Sequence, residues 1–266
     1  MPIEHKEPLS HDDIQKLEYP TDLLASRVVL VTGAGDGIGR AASVAYGSHG
    51  ARVILAGKTI PKLETTYDLI MEAQKNLGIN AEPTIYPIDF AGADEQDYDQ
   101  MSIAIEEGLG GLDGILHNAG VLGTRRPISG YYLSDWDACM NVNLRSEFML
   151  TKAMLPVLER SPAGRIIFTS SSVGRNGRAH WGAYAVSKFA TEGLMQVLAD
   201  EMDGASPICV NSIDPGATRT QMRARAYPAE NPASIAAPED HMPLYLYLMS
   251  SLSDGINGQA FSAQPK

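Results

Sequence analysis

Tyr184 and Lys188 stand four residues apart in Tyr184-Ala185-Val186-Ser187-Lys188. On a helix that spacing puts both side chains on one face, a turn apart. A free phenol titrates near pH ~10, too high for acid–base work at neutral pH. A fixed ammonium beside it favours the phenolate and lowers that value. The pair is therefore a way to build a proton donor for a carbonyl. The same spacing also falls by chance on ordinary exposed helices, so its meaning depends on what accompanies it.

The stretch Thr32-Gly33-Ala34-Gly35-Asp36-Gly37-Ile38-Gly39 lies between a β-branched run and a helical one. Glycines let the backbone turn tightly and approach a pyrophosphate, and the N-terminus of the next helix favours the anion.

These residues need a scaffold, and the chain alternates strand-like and helix-like segments from residue 27 onward. Strands are expected at 27–32, 52–56, 84–88, 114–117, 165–169 and 208–213, with a final edge strand at 258–261. Helices are expected at 38–49, 61–76, 94–107, 183–202 and 238–250. Another should run from 134 to about 159, capped by Ser134 with Asp135 near its positive end. Regular alternation implies a parallel sheet covered on both faces by helices with right-handed crossovers. The expected fold is α/β, a single doubly wound Rossmann-type domain of about seven parallel strands over residues 27–266. Residues 1–26 form an arm before it. Residues 216–237 read as a long loop, a length that is usually functional in a compact domain. Asp89, Asn118, Ser171 and Pro215 all follow expected strands, so they converge on the crevice beyond the strands' carboxyl ends.

The glycine loop, with the Tyr-x-x-x-Lys pair far downstream, resembles the short-chain dehydrogenase/reductase family over roughly residues 24–262. His117-Asn118-Ala119-Gly120 is similar to the family's Asn-Asn-Ala-Gly, with His in the first place. Asn141-Val142-Asn143 resembles the segment carrying its active-site asparagine, matched to Asn143. Ser171, thirteen positions before Tyr184, matches the catalytic serine and is flanked by Ser170 and Ser172. Pro215-Gly216 followed by Thr220 resembles the nicotinamide-side loop. The run from Phe168 to Gly193, with Met242-Pro243-Leu244-Tyr245-Leu246 and Ala263-Gln264-Pro265, is similar to a bacterial YciK-type subgroup whose members are mostly named only as oxidoreductases.

The resemblance implies an oxidoreductase that interconverts a carbonyl and an alcohol by hydride transfer. Tyr184 is then general acid or base. Lys188 tunes it and binds the nicotinamide ribose, Ser171 holds the substrate oxygen, and Asn143 holds a relay water. Gly33, Asp36, Gly37, Ile38, Gly39, Lys58, Asp89, Phe90, Asn118, Ala119, Gly120, Pro215, Gly216 and Thr220 join Tyr184 and Lys188 as cofactor residues. His180 and Trp181 are substrate candidates, with plain packing an equal reading of Trp181. Cofactor choice rests on the second strand's end. An acid there would bind the ribose 2′-hydroxyl of NAD, whereas Gly57 occupies that place and Lys58 follows, suited to a 2′-phosphate. Asp36 dissents, because many NADP-dependent relatives carry Arg or Lys there. NADP(H) is preferred and NAD(H) is the alternative. Arg223 and Arg225 would suit an acidic substrate, with a solvated loop as the competing reading.

Bulk properties argue against two partner classes and leave the small-molecule substrate that the resemblance implies. A net charge of −11 argues against nucleic acid and anionic membrane surfaces. No apolar run approaches a membrane span and no signal-like segment opens the chain, so a cytoplasmic protein is expected. Cys139 and Cys209 read as reduced core residues, and no Cys/His cluster has metal-ligand spacing. Relatives pair through helices at 134–160 and 183–203, which implies a homodimer or homotetramer. A catalytically silent nucleotide sensor and an interaction protein remain as competing classes.

Overall fold

The computed structural model describes residues 6–265. Seven strands form one parallel sheet: β1 (Val28–Thr32), β2 (Arg52–Gly57), β3 (Thr84–Pro87), β4 (Gly114–His117), β5 (Arg165–Thr169), β6 (Cys209–Asp214) and β7 (Ala260–Ser262). Their order across the sheet is β3-β2-β1-β4-β5-β6-β7. The order in which strands join the sheet thus switches sides between β1 and β4, which pair in parallel from Val29 opposite Gly114 to Val31 opposite Leu116. That switch opens a crevice at the strands' carboxyl ends. The central strands are mostly apolar and buried on both faces, as a parallel sheet between helical layers requires, with polar Thr32, His117 and Thr169 at their carboxyl ends.

One helical layer holds α2 (Gly37–Ser48), α3 (Ile60–Leu77) and α9 (Met242–Met249). The other holds α4 (Glu95–Leu109), α6 (Ser146–Leu158) and α7 (Gly182–Met202). Each layer closes its own apolar core against the sheet. Asp94 caps α4 in a reciprocal capping box with Asp97, satisfying two of the four free N–H groups.

Four expectations need correction. Ser134 caps nothing: α5 (Leu133–Met140) begins after Tyr132, which lends no side-chain bond. Asp135 is in its first turn but also accepts from Thr124 Oγ1 at 2.7 Å. The single helix expected from 134 is instead α5, a π-helical turn at Asn141–Arg145 and then α6. The loop at 216–237 contains α8 (Gln221–Ala226) and a 3₁₀ turn at Pro232–Ser234. Thr220 starts α8 by accepting from Arg223 N at 3.1 Å. The last helix opens as a 3₁₀ turn, Pro238–His241, before α9.

The arm is also more than an appendage. Residues 1–5 lie outside the described residues. Beyond them α1 (His11–Lys16) packs on α9, and Ile14 and Leu24 are buried in the core. Leu9 N donates to Tyr247 Oη at 3.4 Å, and a His11 ring nitrogen bonds the Ala263 carbonyl at 2.9 Å. The 3.6-residue period is too short-lived over six residues to stand out in sequence.

Candidate active site

The glycine loop leaves β1 with Gly33 at φ 66° and Gly37 at φ 51°, backbone that side chains rarely adopt. A Cβ on Gly39 would collide with the Gly33 carbonyl, so α2 can lie this close to the loop only with glycine there. Thr32 Oγ1 accepts from Asn118 N at 2.9 Å and Ala119 N at 3.0 Å. Asn118 Nδ2 returns a bond to the Thr32 carbonyl at 3.2 Å. The ends of β1 and β4 are therefore stitched together across the crevice. Thr32 is a positioning residue that the motif reading passed over, although it sits at the motif's first place.

The crevice holds a cleft of about 280 Å³. Gly33, Asp36, Gly37, Ile38, Asn118, Ala119, Gly120, Ser171, Trp181, Tyr184, Lys188, Pro215, Gly216 and Thr220 all line it. Six expected site residues do not. Gly39 lies beneath the loop, and Asn143 is fully buried behind the cleft. His180 is exposed and turned to φ 70°, so it is not a lining residue. Phe90 faces the core. Asp89 and Lys58 are exposed and sit 4.0 Å apart, away from the lining.

Of the three serines, Ser171 and Ser170 face the cleft and Ser172 does not. Ser170 is buried with its hydroxyl unpartnered, whereas Ser171 is half-buried beside Tyr184. Gly174 follows in the next turn. A Cβ there would lie 2.7 Å from the Lys188 Cβ, so only glycine lets this turn press on α7.

Tyr184 and Lys188 share the cleft-facing side of α7, as their spacing requires. The Tyr184 phenol is nonetheless raised above its ordinary value. Burial dominates, Lys188 and the neighbouring Ser171 hydroxyl pull down, and Asp214 and Cys139 push up. The expected lowering by Lys188 is present but does not win.

Lys188 has further partners on β5 and α6. Lys188 Nζ donates to the Thr169 carbonyl at 2.7 Å and meets Glu147 Oε1 at 3.3 Å. Glu147 is almost wholly buried, and its second oxygen accepts from Thr191 Oγ1 at 2.7 Å. Burial pushes the Glu147 carboxyl up, against the downward pull of Lys188 and Thr191. The ammonium thus faces a buried carboxylate as well as the phenol. His117, the departure from the usual Asn, hydrogen-bonds Thr151 Oγ1 at 2.9 Å and stacks on Phe168 at 4.6 Å. Burial, with Lys188 nearby, pushes it down to about 3, so it stays neutral.

Asn143 sits in the π-helical turn, a distortion that recurs at functional sites. Its Oδ1 accepts from Val121 N at 2.8 Å, and its Nδ2 donates to the Val121 carbonyl at 2.9 Å and to Ser187 Oγ at 3.0 Å. It clamps the segment after β4 to α7.

At the other end of the cleft, Asp36 accepts from Gly37 N at 2.8 Å and from Lys62 Nζ at 2.5 Å. Burial opposes its ionisation, but these bonds and Arg40 outweigh it and hold the carboxyl below its ordinary value. The dissenting acid is therefore compensated. Lys62 and Arg40 were not singled out in the sequence. The available signal was two cations just inside the helices that follow β1 and β2. Gln264 was missed too: its Nε2 donates to the Pro215 carbonyl at 2.8 Å and the Ala217 carbonyl at 3.0 Å, strapping the loop after β6.

Among the described residues no group of three or more His, Cys, Asp or Glu could hold a metal. Both cysteines are free and buried. No described helix is long and apolar enough to cross a membrane.

Comparison with known proteins places this geometry. The family model for short chain dehydrogenases matches residues 27–231. A protein of Escherichia coli (strain K12) named "Uncharacterized oxidoreductase YciK" is 48% identical over 244 residues, covering 92% of this chain and 94% of its own. A solved short chain dehydrogenase from Pseudomonas syringae superposes with a TM-score of 0.89 at 52% identity, covering 93% of this chain and 99% of that one. Another, from Escherichia coli CFT073 and complexed with NADPH, gives 0.86 at 48% identity, covering 92% and 99%. A match of that extent makes this chain a member of the short-chain dehydrogenase family of oxidoreductases.

Proposed function

We propose that this protein is an NADP(H)-dependent reductase that interconverts a carbonyl and an alcohol, with Tyr184 as the proton donor. The observation that carries the reading is the convergence of Ser171, Tyr184 and Lys188 on one cleft whose far end is the glycine loop and the N-terminus of α2. That end fits a dinucleotide: left-handed glycines at the N-terminus of α2, with no room for a side chain at Gly33 or Gly39. Gly33, Gly37, Ile38, Asn118, Ala119, Gly120, Pro215, Gly216 and Thr220 would hold it. Lys62, Arg40 and Lys58 would meet a 2′-phosphate, and the relatives solved with NADP and NADPH support that preference.

The nicotinamide, when bound, supplies the hydride. The rest is the work of this chain. Ser171 holds the carbonyl oxygen and stabilises charge developing on it. Tyr184, kept protonated at neutral pH by burial, gives its proton to that oxygen. Lys188 spends two donors on the Thr169 carbonyl and Glu147, leaving one for the cleft and the ribose it would bind. Glu147 orients that ammonium and limits how far it lowers the phenol. Asn143 acts through the segment it clamps. The exposed Phe148, Val186, Phe189 and Val197 on α6 and α7 support a homo-oligomer through those helices.

Tyr184→Phe tests the assignment. NADPH oxidation over a panel of ketones and aldehydes should fall ~10²–10⁴-fold, with NADPH affinity nearly unchanged. Turnover within about threefold of wild type would refute it.

A further inference from the structure

Beside the cleft three guanidinium groups gather around one phenol. The Arg125 guanidinium carbon lies 4.8 Å from the Trp181 ring and 5.2 Å from the Tyr227 ring. Arg125 Nη1 also donates to the Ala226 carbonyl. Arg178 Nη1 donates to Tyr227 Oη at 3.0 Å, and Arg223 stacks on the Tyr227 ring at 3.8 Å. Like charges at such separations repel. One carboxylate answers them: Glu230 accepts from Arg223 Nε and Nη2, both at 2.6 Å. Among the described residues neither Arg125 nor Arg178 has an ion-pair partner. The cluster therefore keeps two uncompensated cations, although the whole chain carries −11.

Its place is specific. The Trp181 ring stands between Arg125 and the proton donor, with its centroid 5.8 Å from that of Tyr184. Trp181, Met222, Arg223 and Ala226 all line the cleft. Arg125 borders this lining through Trp181 and Ala226, and Arg178 reaches it through Tyr227, whose ring lies 6.0 Å from that of Trp181; both arginines are exposed. Between cations and phenol the walls are apolar: Leu122, Trp181, Met222 and Ala226.

We propose that Arg125 and Arg178 form a subsite for a carboxylate on the substrate, so that the substrate is a carbonyl compound with an apolar body and an anionic distal end. The inference rests on the carbonyl–alcohol reading above. A guanidinium laid on aromatic faces is held flat with its remaining N–H groups free, and its planar fork matches a carboxylate. Arg223, already bound to Glu230, secures the loop instead of the ligand. The apolar stretch beside Trp181 accommodates the body, and burial of that stretch adds affinity without selecting a charge.

Two measurements test this, the first without any reaction. Terephthalate, which has no carbonyl to reduce, is titrated calorimetrically into the protein–NADP⁺ complex, beside dimethyl terephthalate. Terephthalate should bind the more tightly, lose affinity as salt rises, and bind about tenfold more weakly to Arg125→Met and Arg178→Met. Equal binding of acid and diester, or no loss in either variant, overturns the subsite. Reduction of 4-carboxybenzaldehyde and 4-formylcinnamate is then compared with that of their methyl esters. The acid-over-ester preference in kcat/KM should exceed tenfold and shrink about tenfold in Arg178→Met, through KM. Esters reduced as well as acids overturn the subsite and leave the reductase reading standing. Terephthalate binding without turnover of any aldehyde strikes the reductase reading instead.

Discussion

Replacing Glu147 by glutamine keeps the side chain's shape and removes its charge. The glutamine oxygen can still accept from Lys188, and its amide can donate to Thr191 Oγ1, which now donates to the carboxylate at 2.7 Å. What changes is the field at Tyr184. In the wild type the Lys188 ammonium lies 3.3 Å from a buried carboxylate, and the phenol responds to the pair. At an effective dielectric of ~20, a unit charge one side chain beyond a direct contact acts by on the order of 1–2 kcal/mol, or about 1 pH unit. The sign follows: with Glu147 neutralised, Lys188 favours the phenolate more strongly and the Tyr184 titration falls. The alkaline limb of carbonyl reduction, where the proton donor is lost, should move about one unit toward acid. His117 is neutral and Cys139 is pushed up by burial, so neither supplies a competing charge over the neutral range. The variant should also be less stable, because an unpaired buried ammonium costs several kcal/mol, on the order of 3–5. The assay is a pH profile of kcat and kcat/KM at a temperature below the variant's Tm. A profile that overlays the wild type while Tm falls would show that Glu147 only packs. A limb moved toward alkali would reverse the electrostatic argument.

The cofactor end yields a second expectation. Lys62→Ala should weaken NADPH more than NADH, by up to about tenfold given the exposure of the site, and leave Asp36 with only Arg40 and the Gly37 N–H to offset its charge. Gly57→Asp should move preference toward NADH, since a Cβ there meets only Leu63 Cδ2 at 3.4 Å; fluorescence titrations read both, and tighter NADH binding by the wild type contradicts the assignment. His117 makes stability pH-dependent. Its folded value of about 3 lies below the unfolded value near ~6.5, so its contribution is whole above that pH and is lost on acidification, by roughly 2 kcal/mol between pH 7 and pH 5. His117→Asn, which can still bond Thr151, should flatten that slope in denaturant titrations, and an unchanged slope refutes the argument. Ile14→Ala should cost roughly 2–5 kcal/mol by urea unfolding while sparing NADPH affinity, since Ile14 fills the core under α9 far from the cleft.

Much of the fold was legible because periodicity reports burial. The runs around Val29, Ile54 and Ile166 are β-branched, short and bounded by turn residues, and each became a central strand. The glycine loop was legible because its residue types are forced by backbone conformation, as Gly33 and Gly37 show. What sequence alone left out shares a different cause. Asn143 sits on a π-helical turn, and a one-residue bulge leaves the apolar pattern on either side almost intact. Tyr132, with no capping side chain, starts α5 where Ser134 looked the better cap, because capping is settled by backbone geometry and not by composition.

The charged network was harder still, because its members are far apart in the chain. Lys188 meets Glu147 across 41 residues, Arg125 meets Trp181 across 56 and Tyr227 across 102, and Asp36 meets Lys62 across 26. Local spacing identifies a tyrosine and a lysine on one helix face; it says nothing of the carboxylate that approaches from another helix. Nor does spacing report burial, which outweighs the pull of Lys188 and raises the Tyr184 phenol. The carboxylate instead takes one of the lysine's donors. In the sequence Glu147 is one polar residue among Asn143, Arg145, Ser146 and Thr151, four residues beyond Asn143. An ionisable group placed at a position whose helical phase demands burial must find a counter-charge. In this chain the counter-charge within reach is the Lys188 ammonium, which ties the first turn of α6 to the cleft-facing side of α7.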